Sequence, residues 1–141
     1  MGNRVVLDTG PLVAFINRDD QFHAWTRARF GDLARETELV TCEAVICEAF
    51  FLVRHNPAGV EALLAFLEQG EVRLDFALDV NLAAVAALMR KYHDVPMSLA
   101  DACLVRLSEL HDRARGFTLD TDFKLYRRHG RQIIPLVAPA S

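Results

Sequence analysis

The chain has 141 residues, 52% hydrophobic and 25% charged, which predicts one folded domain over residues 1–141 and excludes a disordered chain. Its formal net charge of −3 excludes a general nucleic-acid binder, so nucleic acid would need a local basic patch or a bound cation. No apolar run reaches the roughly 18 residues that span a bilayer, and we do not expect the stretch before Asp8 to be a signal peptide. We therefore expect a cytoplasmic protein without membrane contact.

The apolar periodicity predicts alternating strands and helices along the chain. The predicted strands are 4–7, 39–41, 72–76, 116–119 and 133–137. The predicted helices are 11–16 (with Pro11 in the first position), 22–34, 43–53, 57–68, 80–92, 98–110 and 121–128. Strands separated by helices indicate an α/β fold whose mainly parallel sheet is covered on both faces.

The three cysteines are an odd number and have no paired spacing. Cys42, Cys47 and Cys103 all stand among apolar neighbours. We predict reduced thiols in the core, and neither a disulfide framework nor a zinc site.

Acidic residues follow two of the predicted strands. Asp8 comes directly after the first strand and Asp120 directly after the strand that ends at Leu119. Ligands of an open parallel sheet bind beyond the carboxyl ends of its strands, so both acids are candidates for a site there. Asp101 lies in the first turn of the helix that begins at Ser98. Each acid also has a structural interpretation, as a turn residue or a helix cap.

Glu48 is the most informative acid, because residues 44–53 are otherwise apolar. A helix that is apolar on every face is buried, and a buried carboxylate is costly unless it is paired or binds a metal. The alternative to a metal is a buried ion pair, for which Arg54 is the first basic residue at helical spacing.

Four acids at one edge of the sheet would repel each other, and a divalent cation removes that conflict. All-carboxylate ligation favours Mg²⁺ or Mn²⁺ over zinc. Such a site suits the hydrolysis of a phosphate ester, because the metal polarises an oxygen and activates a water.

Two further features concern partners. The basic residues Lys124, Arg127 and Arg128 stand close together and could contact an RNA backbone; a solvated short helix explains them equally well. The apolar excess, with the helical stretches Phe15 to Trp25 and Val60 to Leu67, predicts a homodimer.

The motifs together resemble the PIN-domain nucleases, most closely the VapC-type toxin ribonucleases, over essentially the whole chain. The residues that carry the resemblance are Val6-Leu-Asp8-Thr9-Gly-Pro-Leu12, Glu48 in its apolar helix, Ser98-Leu-Ala-Asp101-Ala, and Thr118-Leu-Asp120-Thr-Asp122-Phe123.

The resemblance implies a three-layer α/β/α sandwich and RNA cleavage that depends on Mg²⁺ or Mn²⁺. It assigns the acidic quartet to Asp8, Glu48, Asp101 and Asp120, an assisting role to Asp122, and the orientation of the acids to the hydroxyls of Thr9 and Thr118. For the toxin branch it implies a cognate antitoxin, whose tail we expect to cross the acidic site. The alternative is a PIN-fold binding or regulatory module that acts through protein contacts without nuclease activity.

Overall fold

The computed structural model describes residues 3–33 and 35–140. Its strands are β1 (Arg4–Leu7), β2 (Glu38–Thr41), β3 (Arg73–Leu74), β4 (Arg115–Phe117), β5 (Arg127–Arg128), β6 (Gln132–Ile133) and β7 (Leu136–Val137). Its helices are α1 (Thr9–Ile16), α2 (His23–Asp32), α3 (Glu43–Val53), α4 (Pro57–Glu68), α5 (Leu78–Lys91) and α6 (Leu99–Leu110), followed by a short 3-10 helix over Thr121–Lys124.

Five strands form one sheet in the order β3-β2-β1-β4-β7, and every neighbouring pair is parallel. The central strand β1 is buried at Val5, Val6 and Leu7, which is the continuous apolar burial of a parallel sheet covered on both faces. The helices α1 to α4 pack against one another, while α5 packs along α6, which contacts β1 and β4. The structure is thus the α/β/α sandwich with a parallel sheet that the sequence predicts.

The main difference from the predicted elements lies after Asp120. The expected helix over residues 121–128 is wrong, because the 3-10 helix ends at Lys124 and β5 pairs antiparallel with β6. His129 and Gly130 both have a positive φ, which turns the chain between these two strands. The predicted strand 133–137 is likewise divided, because Pro135 has no backbone N–H to donate to a ladder.

Smaller differences concern the start of α1 and one cysteine. Helix α1 begins at Thr9, so Pro11 occupies the third helical position, and Asp8 is the N-cap. The cysteines form no disulfide in the described chain, and Cys42 and Cys103 are buried, whereas Cys47 is exposed on α3. The expectation of a core position for Cys47 is therefore wrong. Among the described residues, no helix is both long and apolar enough to cross a bilayer.

Candidate active site

Parallel pairing of β1 with β4 brings the ends of these two strands side by side. The amide of Asp8 donates a 3.0 Å hydrogen bond to the carbonyl of Phe117, which extends the ladder to the first acid. Thr118 and Asp120 follow immediately on the neighbouring strand. The topology thus joins two segments that are far apart in the sequence.

Asp8 is held rigidly and exposes only 8% of its surface. Its Oδ1 accepts the amide of Thr9 at 2.7 Å, and its Oδ2 accepts the hydroxyl of Thr118 at 2.7 Å. Burial, which is the largest cause, and the charges of Asp101 and Asp120 together raise the pKa of Asp8 to about 7, against the opposing effect of the two hydrogen bonds. A buried carboxyl next to two other acids favours a cation as neighbour.

Thr118 joins Asp8 to Asp120. Besides donating to Asp8, the Thr118 hydroxyl accepts the amide of Asp120 at 2.9 Å. The carboxylate of Asp120 in turn caps the 3-10 helix by accepting the amide of Asp122 at 2.9 Å. Asp120 is therefore a helix cap through its Oδ1, as the capping interpretation predicts. Its other carboxylate oxygen is not used by this cap.

Asp101 combines a capped helix start with a second contact. Ser98 caps α6 by accepting the amide of Asp101 at 3.0 Å, while Oδ2 of Asp101 accepts the hydroxyl of Tyr126 at 2.8 Å. Burial raises the pKa of Asp101 above its usual value, and the charge of Asp120 adds to this, whereas the bond from Tyr126 opposes it. The carboxylate is thus held by a side chain that the sequence analysis did not identify.

Glu48 lies on the exposed side of α3, so the prediction that it is buried is wrong. The buried side of α3 is formed by Val45, Ile46, Ala49 and Val53. The ion-pair alternative fails as well, because the guanidinium of Arg54 lies 3.7 Å from the Phe51 ring and donates to the Phe51 carbonyl. Glu48 lines the same open cleft as Asp8 and Asp101, and partial burial and then the charge of Asp101 raise the pKa of its carboxyl.

These acids surround one open cleft of about 480 Å³, which we call the acidic cleft. It is lined by Asp8, Thr9, Gly10, Glu48, Leu52, Pro96, Ser98, Asp101, Leu119, Asp120 and Asp122. The quartet and Asp122 therefore lie together, and none of these lining residues is basic. The residues supply oxygen ligands without a balancing positive charge, which is the donor chemistry that Mg²⁺ and Mn²⁺ prefer.

The carboxylates do not converge on a single point. Within residues 3–33 and 35–140, no three His, Cys, Asp or Glu side chains stand close enough together to hold a metal ion. Like charges in an open cleft favour such separation, and a divalent cation would draw the carboxylates together. The carboxylate oxygens of the cleft are suitable ligands for a hard divalent cation. Binding such an ion would require the carboxylates to move closer together.

The hydroxyls of Thr9 and Thr118 make different contacts. The Thr118 hydroxyl donates to the Asp8 carboxylate. The Thr9 hydroxyl is buried and has no hydrogen-bond partner among the described residues, so the expectation that it orients an acid is wrong here. Thr9 contacts Asp8 through its backbone amide instead.

The basic residues after Asp120 are mostly structural. Arg128 is buried and donates to the carbonyl of Ala114 at 3.3 Å. The guanidinium of Arg127 donates to the backbone carbonyls of Lys124, Leu125 and Tyr126. Lys124, the last residue of the 3-10 helix, is the exposed member of this basic group. That Lys124, Arg127 and Arg128 contact RNA stays a prediction.

The family model for the PIN domain matches residues 5–128, which include all five acids of the cleft. No curated protein matches the chain.

Proposed function

The chain belongs to the PIN-domain family, whose members are generally nucleases, and from that premise we propose that it is a metal-dependent endoribonuclease. Asp8, Glu48, Asp101 and Asp120 would hold Mg²⁺ or Mn²⁺ and catalyse the hydrolysis of RNA phosphodiesters. One observation carries the proposal: acids from four separate segments line a single cleft that has no basic lining residue.

The carboxylates differ in their hydrogen bonds and exposure, and this suggests different tasks. Asp8 is fixed by two hydrogen bonds and Asp101 by the Tyr126 hydroxyl, so both present oxygens in a set direction. Glu48 is exposed on α3 and is free to adjust to a ligand. When bound, the divalent ion would polarise a non-bridging phosphate oxygen and lower the pKa of its water.

The RNA backbone requires positive charge that the cleft residues lack. Lys124 is exposed two residues after Asp122, which lines the cleft. We assign Lys124 to the phosphate chain beside the cleft, because it is the most exposed residue of the predicted basic group.

The experiment is RNA cleavage by the purified protein with Mg²⁺ or Mn²⁺ and with EDTA. Asp8→Asn serves as the inactive variant. Asp112→Asn is the matched control, because Asp112 is an exposed acid beyond the opposite end of α6. Cleavage that continues in EDTA, or that Asp8→Asn retains, contradicts the proposal. Metal-dependent cleavage that is lost in Asp8→Asn and kept in Asp112→Asn supports the proposal.

The alternative function is a binding or regulatory module that keeps the fold without catalysis. The hydrogen-bonded arrangement of Asp8, Thr118 and Asp120 favours the enzyme, because a surface for protein contacts does not require a buried carboxylate. Calorimetric titration with Mn²⁺ distinguishes the two, since the module predicts no binding in the cleft.

We propose further that the protein is the toxin of a toxin–antitoxin pair and forms a homodimer. Phe15 and Trp25, two of the residues that suggested a dimer surface, pack on Phe30 and Phe117 instead. Support comes from other exposed apolar side chains, among them Leu78, Val80 and Leu82 on α5. Sedimentation at high micromolar concentration tests the dimer, and a monomer contradicts it.

The proposed antitoxin would cover the acidic cleft with its tail. Charge complementarity supports a basic tail, because the cleft has five acids and no basic lining residue. A short neighbouring reading frame with a DNA-binding start should encode the antitoxin, and its product should inhibit cleavage. A neighbouring product that binds but leaves cleavage unchanged contradicts this assignment.

A further inference from the structure

Tyr126 is buried directly behind the acidic cleft. It is among the largest fully buried side chains, with 0% of its surface exposed. The ring packs edge-on against Tyr92 and Phe123, with centroid distances of 5.1 and 5.2 Å. Its hydroxyl donates a 2.8 Å hydrogen bond to Oδ2 of Asp101. Among the described residues, Asp101 is the hydrogen-bond partner of this phenol.

The backbone around Tyr126 is fixed by the two arginines that follow it. The guanidinium of Arg127 binds three successive carbonyls, including that of Tyr126 itself. Arg128 donates to the carbonyl of Ala114 at 3.3 Å. The arginine side chains therefore hold the backbone that carries the phenol.

Asp101 needs such a contact because of its surroundings. Asp120 and Asp122 line the same cleft, and their like charges repel the Asp101 carboxylate. A hydrogen bond from a rigid, buried donor opposes that rotation without adding charge to the cleft. The donor also fixes which oxygen of Asp101 faces the protein interior.

We propose that Tyr126 is a positioning residue that holds the Asp101 carboxylate in the orientation required for a divalent cation. This inference rests on the proposed function. Loss of one outer contact of a metal ligand typically lowers metal affinity by about 10- to 100-fold. Tyr126→Phe, which keeps the ring and its packing, should therefore weaken Mn²⁺ binding to that extent.

The test measures Mn²⁺ affinity by calorimetry, melting in EDTA and RNA cleavage for four proteins. These are the wild type, Tyr126→Phe, Asp101→Asn and the double variant. Tyr92→Phe is the matched control, because it removes a hydroxyl from the adjacent ring that contacts a backbone amide and not an acid.

We expect Tyr126→Phe to bind Mn²⁺ more weakly and to cleave with a lower kcat, whereas Tyr92→Phe keeps the wild-type affinity even if it melts earlier. In the Asp101→Asn background the second substitution should change Mn²⁺ affinity no further, since Tyr126 acts through Asp101.

Equal Mn²⁺ affinity in Tyr126→Phe and the wild type overturns the role of Tyr126 alone. A wild type that neither binds Mn²⁺ nor cleaves RNA overturns the proposed function, and this role with it.

Discussion

The hydroxyl of Thr118 donates to the carboxylate of Asp8 across 110 positions of sequence, at a distance of 2.7 Å. The same oxygen accepts the amide of Asp120, so one buried threonine connects two acids of the cleft. This contact exists because β1 and β4 are parallel neighbours whose carboxyl ends meet. A buried acid of this kind is costly to the fold.

Asp8 should make the metal-free protein less stable as pH rises. Its pKa is about 7 in the folded protein against 3.8 ordinarily, so the folded state holds the proton longer than the unfolded state. Stability therefore falls between about pH 4 and pH 7. From pH 5 to pH 8 this one group should remove about 2–3 kcal/mol of unfolding free energy.

Urea unfolding in EDTA at both pH values measures the effect. Asp8→Asn has no proton to lose, so its stability should fall less over the same range. Glu48 and Asp101, whose pKa values are also raised, contribute equally to both proteins. The same pH slope in the variant would reject the assignment to Asp8.

Glu48→Gln should separate chemistry from stability. Because Glu48 is exposed, its loss should change the metal-free unfolding free energy by no more than about 0.5 kcal/mol. Added Mn²⁺ should stabilise the variant less than the wild type, and RNA cleavage should be lost. Glu43→Gln, an exposed acid in the first turn of the same helix, is the control. Normal cleavage by Glu48→Gln removes this residue from the proposed quartet.

Asp101→Asn should melt near the wild type in EDTA, because the Tyr126 hydroxyl can donate to the amide oxygen and Ser98 still caps α6. A difference within about 0.5 kcal/mol is expected. Cleavage should be lost and Mn²⁺ should stabilise the variant less than the wild type, since an amide is a poorer ligand than a carboxylate. A variant that cleaves normally returns Asp101 to a purely structural role.

The sequence was sufficient to predict the parallel sheet and the position of the acids that follow its strands. Buried runs separated by helices determine a parallel sheet, and the ends of parallel strands meet at one edge, so Asp8 and Asp120 could be placed by topology. The burial of Glu48 could not be judged in this way. An apolar helix at a cleft leaves part of its apolar surface in solvent, as the exposed Phe51 and Leu52 on α3 illustrate.

The region after Asp120 depends on contacts that periodicity does not reveal. Antiparallel pairing of β5 with β6 requires the turn at His129 and Gly130, and this pairing directs Arg128 inward. The contact between Tyr126 and Asp101 joins the start of α6 to the chain before that hairpin. The sequence offers one signal for Tyr126, an aromatic residue within a basic stretch, and that pattern is equally typical of a nucleic-acid surface.

Arg128 and Lys124 should therefore respond differently to the loss of their charge. Arg128→Ala should lower the unfolding free energy by about 1–3 kcal/mol, because it removes a buried stem and leaves the Ala114 carbonyl without that donor.

Lys124→Ala should leave stability within about 0.5 kcal/mol of the wild type, since Lys124 is exposed. If Lys124 contacts one phosphate, the slope of log affinity for single-stranded RNA against log salt should fall by about 0.7. Chemical unfolding and salt-dependent binding of an uncleavable RNA measure the two effects. An unchanged salt slope for Lys124→Ala would show that the RNA backbone is held elsewhere.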